Sequence, residues 1–182
     1  DDVKMKEDGL SKLLNFQEVS SCIHGRKTYL DDKFLDWEDY IDVPTGKTFG
    51  SHDAYFYKYD KRFVTINFGC FEGMLIHRDI VGKIGLPDKR FFIKGDDTVY
   101  GFLASLHTNV LYVNEVIFYK LIRPQNSKTF LGRGSGRSND LILYHTIRNN
   151  FLIEKYFKLI YEEERINRKI NHKPMIIGAA LR

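Results

Sequence analysis

The chain is poor in cysteine: Cys22 and Cys70 are the only two among 182 residues. There is no Cys-x-x-Cys pair and no Cys/His cluster, which argues against a structural zinc site. Two free thiols fit a reducing compartment, so a cytoplasmic location is expected. Long apolar runs are also missing, since none approaches the ~18 residues that a membrane span needs. Tryptophan occurs once, at Trp37. Charge of one sign is not concentrated either. The net charge of +4 suits an anionic nucleotide or an acidic membrane surface but requires neither. Basic residues are interspersed with Asp and Glu instead of forming one continuous face, which argues against nucleic acid as a partner. No internal repeat or low-complexity tract is present.

What is present is an ordinary globular composition with 43% apolar and 29% charged residues, in a chain long enough to bury a core. Leu10, Leu13 and Leu14 have helical spacing, and Glu7 and Asp8 suit the first turn of that helix. Val19–Thr28 reads as a strand that includes Cys22 and Ile23. Residues 29–62 are aromatic and charged without a steady period and read as an irregular excursion. Phe63–Phe68 is a strand of β-branched and aromatic residues. Val110–Val113 and Val116–Tyr119 read as two further strands, and one or two long helices are expected over Ser138–Ile170. Residues 123–139, with Pro124 and several Gly and Ser, read as a flexible loop.

The most informative stretch is residues 73–101. Gly73-Met74-Leu75-Ile76 is extended. Arg78–Ile84 forms a helix that Gly85 stops, with Pro87 just beyond. An apolar run, Phe91-Phe92-Ile93, then leads to Lys94-Gly95-Asp96-Asp97 and a helix over Asp97–Leu106. Paired acids at the open end of a buried strand are costly unless their charge is used or neutralised. Adjacent acids before a helix are also what an ordinary N-cap supplies.

This arrangement resembles the acceptor-side half of an inverting GT-A glycosyltransferase of family 2, close to galactofuranosyl- and rhamnosyltransferases. An ordered set of segments carries the likeness, strongest over residues 73–101, where it includes Gly73-Met74-Leu75-Ile76, the helix and Gly85-Leu86-Pro87. Asp1-Asp2-Val3, followed by a Leu-containing helix, looks like the tail of the family's Asp-x-Asp metal motif. Phe91-Phe92-Ile93-Lys94-Gly95-Asp96-Asp97 looks like the segment that holds the catalytic base. Tyr144-His145-Thr146-Ile147-Arg148-Asn149 looks like the Tyr-x-x-x-Arg-Asn helix that follows the core. The chain departs from the family pattern in three places. Val99 stands where relatives carry an acid, no arginine lies near Leu103, and Lys120 replaces a metal-binding histidine. An ammonium cannot coordinate a cation, although it can contact a diphosphate.

The resemblance implies an α/β fold: a mixed sheet with trailing helices, the acceptor-side part of a GT-A catalytic domain. Residues 1–122 would form that part, 123–139 the loop and 140–182 a C-terminal helical extension. The first metal ligand would precede residue 1, so the chain would be a piece of a longer enzyme and inactive alone. The implied activity is transfer of a sugar from a UDP- or dTDP-sugar to a saccharide or lipid-linked acceptor in cell-surface polysaccharide synthesis. It would take place at the inner face of the membrane, with peripheral contact through the basic, amphipathic tail after residue 150.

Each candidate residue has a role and a plainer alternative. Asp97 would be the general base, with Asp96 orienting it or the acceptor; the helix dipole is expected to hold both ionised. Asp2 would hold Mg²⁺ or Mn²⁺, although it also reads as a frayed acidic terminus. Lys120, Arg133 and Arg137 would contact the donor phosphates, or are surface and loop cations. Glu72, Gly73 and Trp37 would line the acceptor site; Glu72 also reads as a solvated loop acid and Trp37 as a core or lid tryptophan. Arg148 is expected to make a structural ion pair. The rival reading from another class is a non-catalytic module that binds a sugar or a polyanion.

Overall fold

The computed structural model describes residues 3–33, 35, 40–42, 47–49, 60–121, 129–130, 133–134 and 140–171. Asp2, Trp37 and Arg137 lie outside the described residues. The fold is mixed α/β, built on a curled mixed sheet of five strands with order β1-β7-β2-β6, where β5 also pairs with β7. The strands are β1 (Val3–Met5), β2 (Cys22–Tyr29), β5 (Phe63–Ile66), β6 (Met74–Ile76) and β7 (Val110–Lys120). β2 and β7 run parallel; β1, β5 and β6 pair antiparallel with their neighbours. β5 and β1 sit end to end along one edge of β7, since β5 pairs with Val110–Val113 and β1 with Phe118–Lys120. β3 (Tyr40–Asp42) and β4 (Lys47–Phe49) form a separate hairpin. It is seated on the sheet by Asn67, whose amide exchanges two 2.7 Å hydrogen bonds with the Ile41 backbone.

Helix α1 (Gly9–Leu14) covers one face of the sheet. There Leu13, Phe16, Ile23, Leu111, Val113, Ile117 and Phe118 form an apolar core. Helices α2 (Arg78–Ile84) and α3 (Asp96–Ser105) cover the other face, burying Ile80 and Ala104 against Cys22, Ile66, Val110 and Tyr112. His77 caps α2, accepting a hydrogen bond from the Asp79 N–H at 3.3 Å. Gly85 ends it at φ 76°, as its place after the periodic stretch predicts.

Two expectations need correction. The strands expected at 110–113 and 116–119 are one strand. Its register with β2 jumps from Gly25↔Val113 to Arg26↔Val116, so Asn114 and Glu115 are absorbed as a bulge. The run Phe91–Ile93 is not a buried strand. Phe91 is buried, but Phe92 and Ile93 are exposed and Ile93 turns at φ 78°. Residues 129–134, inside the expected loop, contain a short hairpin, β8 (Thr129–Phe130) with β9 (Arg133–Gly134). One helix, α4 (Asp140–Asn171), follows. It packs on α3 through Phe157 against Phe102, with ring centroids 4.3 Å apart. Among the described residues no helix is long and apolar enough to cross a membrane.

Candidate functional site

In open α/β sheets ligands bind beyond the carboxyl ends of the parallel strands. Here those ends are Lys27–Tyr29 of β2 and Phe118–Lys120 of β7, in register with each other. β2 is buried along almost its whole length, yet its second half reads Arg26-Lys27-Thr28, all buried. A strand covered on both faces is normally a continuous apolar run. Charge at this end needs partners, because an unpaired buried ion is strongly unfavourable. Arg26 donates to Asn114 Oδ1 at 3.0 Å, which brings the bulge of β7 over it. Lys27, fully buried, donates from Nζ to Cys70 Sγ at 2.6 Å.

The loop before β6 closes the next side. Lys120 Nζ lies 2.7 Å from Glu72 Oε1, with the Lys120 side chain only 11% exposed. Two residues assigned separate roles from sequence, one for donor and one for acceptor, are thus one ion pair. Gly73 follows at φ 90°, and a Cβ there would meet the Phe118 ring at 2.8 Å. Gly73 is therefore required by the backbone where this loop crosses β7. Val3, next to Asp2, pairs with Lys120 in the sheet. Arg133 belongs to β9, in the separate hairpin.

Asp96 and Asp97 open α3. Gly95 precedes them at φ 86° and gives no side-chain cap, and its carbonyl accepts the Val99 N–H at 3.1 Å. Asp97 Oδ1 accepts the Thr98 N–H at 2.8 Å. The carboxyl group is half-buried, and that burial is the main cause raising its pKa above the ordinary aspartate value. The Thr98 N–H acts against this, the neighbouring Asp96 charge adds to it, and the Lys27 cation pulls it down. Lys27 thus contacts Cys70 and adds a smaller electrostatic pull at Asp97.

The turn before these acids is held from outside. Asn149 of α4 donates from Nδ2 to the carbonyls of Phe92 (3.2 Å) and Lys94 (2.5 Å). Arg148 donates to the Arg90 carbonyl at 2.6 Å and to Asn149 Oδ1 at 2.9 Å. Arg148 was expected to make an ion pair; it instead binds backbone. A Cβ at Gly95 would meet Ile153 Cδ1 at 2.8 Å, so α4 presses directly on the turn.

Sequence reasoning missed Lys27, Cys70 and Asn149 as parts of this site. The available signal was His24-Gly25-Arg26-Lys27-Thr28, polar at both parities inside a strand pattern. Among the described residues no three His, Cys, Asp or Glu side chains gather into a metal-holding set. Asp2, the expected metal ligand, lies outside the described residues. Cys22, near α2, has its thiol pushed up to about 12 by burial and is an inert core residue. No protein-family model matches the chain, and no curated protein matches it significantly. The likeness to family 2 rests on the segments quoted above.

Proposed function

We propose that the chain is the acceptor-side part of an inverting GT-A glycosyltransferase. One observation carries this reading. Asp97 is half-buried at the start of α3, directly after Asp96, with its Oδ1 accepting the Thr98 N–H at 2.8 Å. An inverting transfer is a single displacement at the anomeric carbon. The acceptor oxygen forms the new bond, the bond from carbon to the diphosphate oxygen breaks, and the hydroxyl proton goes to a carboxylate. Asp97 takes that proton. Its raised pKa, caused mainly by burial, makes it a stronger base than an exposed aspartate. Asp96, one residue before, orients the acceptor.

Negative charge develops on the departing diphosphate. Lys120, at the end of β7 beside β1 and paired with Glu72, is assigned on this reading to supply positive charge there. Arg133 and Arg137 follow it in the chain as donor contacts. A divalent cation held with the help of Asp2 would supply further charge stabilisation at the diphosphate. The donor is a UDP- or dTDP-sugar and the acceptor a saccharide or lipid-linked saccharide at the inner membrane face. The rival reading, a module that only binds a sugar or an anion, draws support from Lys27 and Lys120.

The experiment is release of nucleoside diphosphate from a panel of UDP- and dTDP-sugars by the full-length protein, with Asp97→Asn alongside. A loss of at least ~100-fold in rate, with donor binding retained, supports catalysis. Equal rates in both proteins remove Asp97 from the mechanism. Donor binding without turnover in either leaves the binding module.

A further inference from the structure

Ile93 sits at φ 78°, a conformation that β-branched residues avoid because Cβ crowds the backbone. Such strain persists only where the surroundings over-determine it. The source here is identifiable. The carbonyls on either side of Ile93, those of Phe92 and Lys94, both accept from the Asn149 amide. Asn149 is 1% exposed. Its orientation is fixed by three partners, since Oδ1 accepts from Arg148 while Nδ2 donates to two carbonyls. Arg148 extends the grip to the Arg90 carbonyl. Phe92 leans on the His145 ring at 5.1 Å, one turn earlier on the same helix. The Asp96-Asp97 pair begins immediately after this turn.

We infer that Asn149 is a positioning residue for Asp97: by clamping the carbonyls on both sides of strained Ile93, helix α4 sets where the carboxylate stands at the mouth of the sheet. α4 is therefore a working part of the site, although it contributes no reacting group. The inference rests on the glycosyltransferase reading for its catalytic consequence. The positioning itself is independent of that reading.

Two readouts separate the two. The first needs no substrate: the Asp97 carboxyl is titrated by carbon NMR in the full chain. Wild type is expected to titrate above the ordinary aspartate value. In Asn149→Ala the turn relaxes, Asp97 moves toward solvent, and its titration falls toward that value. Adding Ile93→Gly, which removes the cost of positive φ, is expected to restore part of the shift. A merely structural Asn149 gives no such rescue. The second readout is turnover of UDP-galactofuranose and dTDP-rhamnose. A fall of tenfold or more in kcat with KM for the donor within twofold is expected for Asn149→Ala.

An Asp97 titration unmoved by Asn149→Ala, or moved but not restored by Ile93→Gly, overturns the inference. Unmoved titration with Asp97→Asn inactive sinks the positioning alone. Moved and rescued titration with Asp97→Asn fully active sinks the catalytic reading and leaves the positioning. If Asn149→Ala does not fold, Arg148→Met serves. It loses the bond to Arg90 and is expected to shift Asp97 in the same sense by less; no shift overturns the inference.

Discussion

The two halves of β2 are built on opposite principles. Cys22 and Ile23 are buried in apolar clusters on the two faces of the sheet. Their burial is favourable by the hydrophobic effect alone, at roughly 25 cal/mol per Å². Arg26, Lys27 and Thr28 are buried just as deeply, but there burial is unfavourable unless each polar head has a partner. The strand is thus anchored at one end and charged at the other. The first half is held by apolar packing, and the second by partners within the fold, Asn114 for Arg26 and Cys70 for Lys27. Proteins break local packing rules mainly at functional or strained sites. The Lys27–Cys70 contact, the Glu72–Lys120 pair and the half-buried Asp97 all lie at the charged end.

The largest effect is expected at the apolar end of β2. Ile23→Ala removes a side chain that is 1% exposed and is expected to lower the unfolding free energy by about 2–5 kcal/mol. Chemical denaturation measures this, and turnover per folded molecule should hardly change. Gly101→Ala comes next. A Cβ there would stand 2.9 Å from the Gly69 backbone nitrogen and 3.2 Å from Phe68 Cα. Backbone cannot give way as a side chain does, so α3 must shift, at about 1–3 kcal/mol. Because α3 carries Asp97, activity should fall as well, which distinguishes this variant from Ile23→Ala.

Lys27→Met has a smaller expected effect on the fold, since an apolar replacement removes a buried charge. Its effect on the site has a definite sign. Lys27 pulls the Asp97 pKa down, so removing it should move the Asp97 titration further up. A carboxyl NMR titration that stays in place would separate the two residues. The smallest effect belongs to Asp88, outside the comparison. Arg90 beside it holds its carboxyl down at about 2, and Tyr156 of α4 adds a hydrogen bond at 3.2 Å. A depressed carboxyl stabilises the fold above its unfolded value, near 4, and that contribution is lost as pH falls toward 2. The pair is largely exposed on the Arg90 side, so Asp88→Asn is expected to cost no more than ~1 kcal/mol at pH 7. Unfolding curves of the two proteins should converge at acid pH.

The parts of the fold set by short-range signals were legible in sequence. Gly85 and Pro87 bracket the end of α2, and the spacing of Leu10, Leu13 and Leu14 marks α1. β7 was misread as two strands because Asn114 and Glu115 interrupt the apolar pattern, and only pairing with β2 shows that interruption to be a bulge. Phe91–Ile93 was misread as a strand because its composition is a strand's. What turns it is Asn149, 55 residues after Lys94 in the chain, and no local window contains that contact. The acids at 96 and 97 were visible as chemistry. Lys27 was not, because its partner Cys70 is 43 residues away and a basic residue in a strand pattern reads by default as solvated.

Asp97 is held partly out of water at the start of α3, as the proposed proton acceptor has to be. Asp97→Asn, read twice in the same protein, tests that role most directly. Because burial raises the Asp97 pKa, ionised Asp97 weakens the fold: stability is full below the unfolded value near 4 and declines as pH rises through the folded value. The neutral amide escapes that decline. The expected result is a variant that transfers sugar at least ~100-fold more slowly yet is no less stable at pH 7, with its stability relative to wild type increasing from pH 3 to pH 7. A variant that keeps its transfer rate, or whose relative stability falls over that range, contradicts the account.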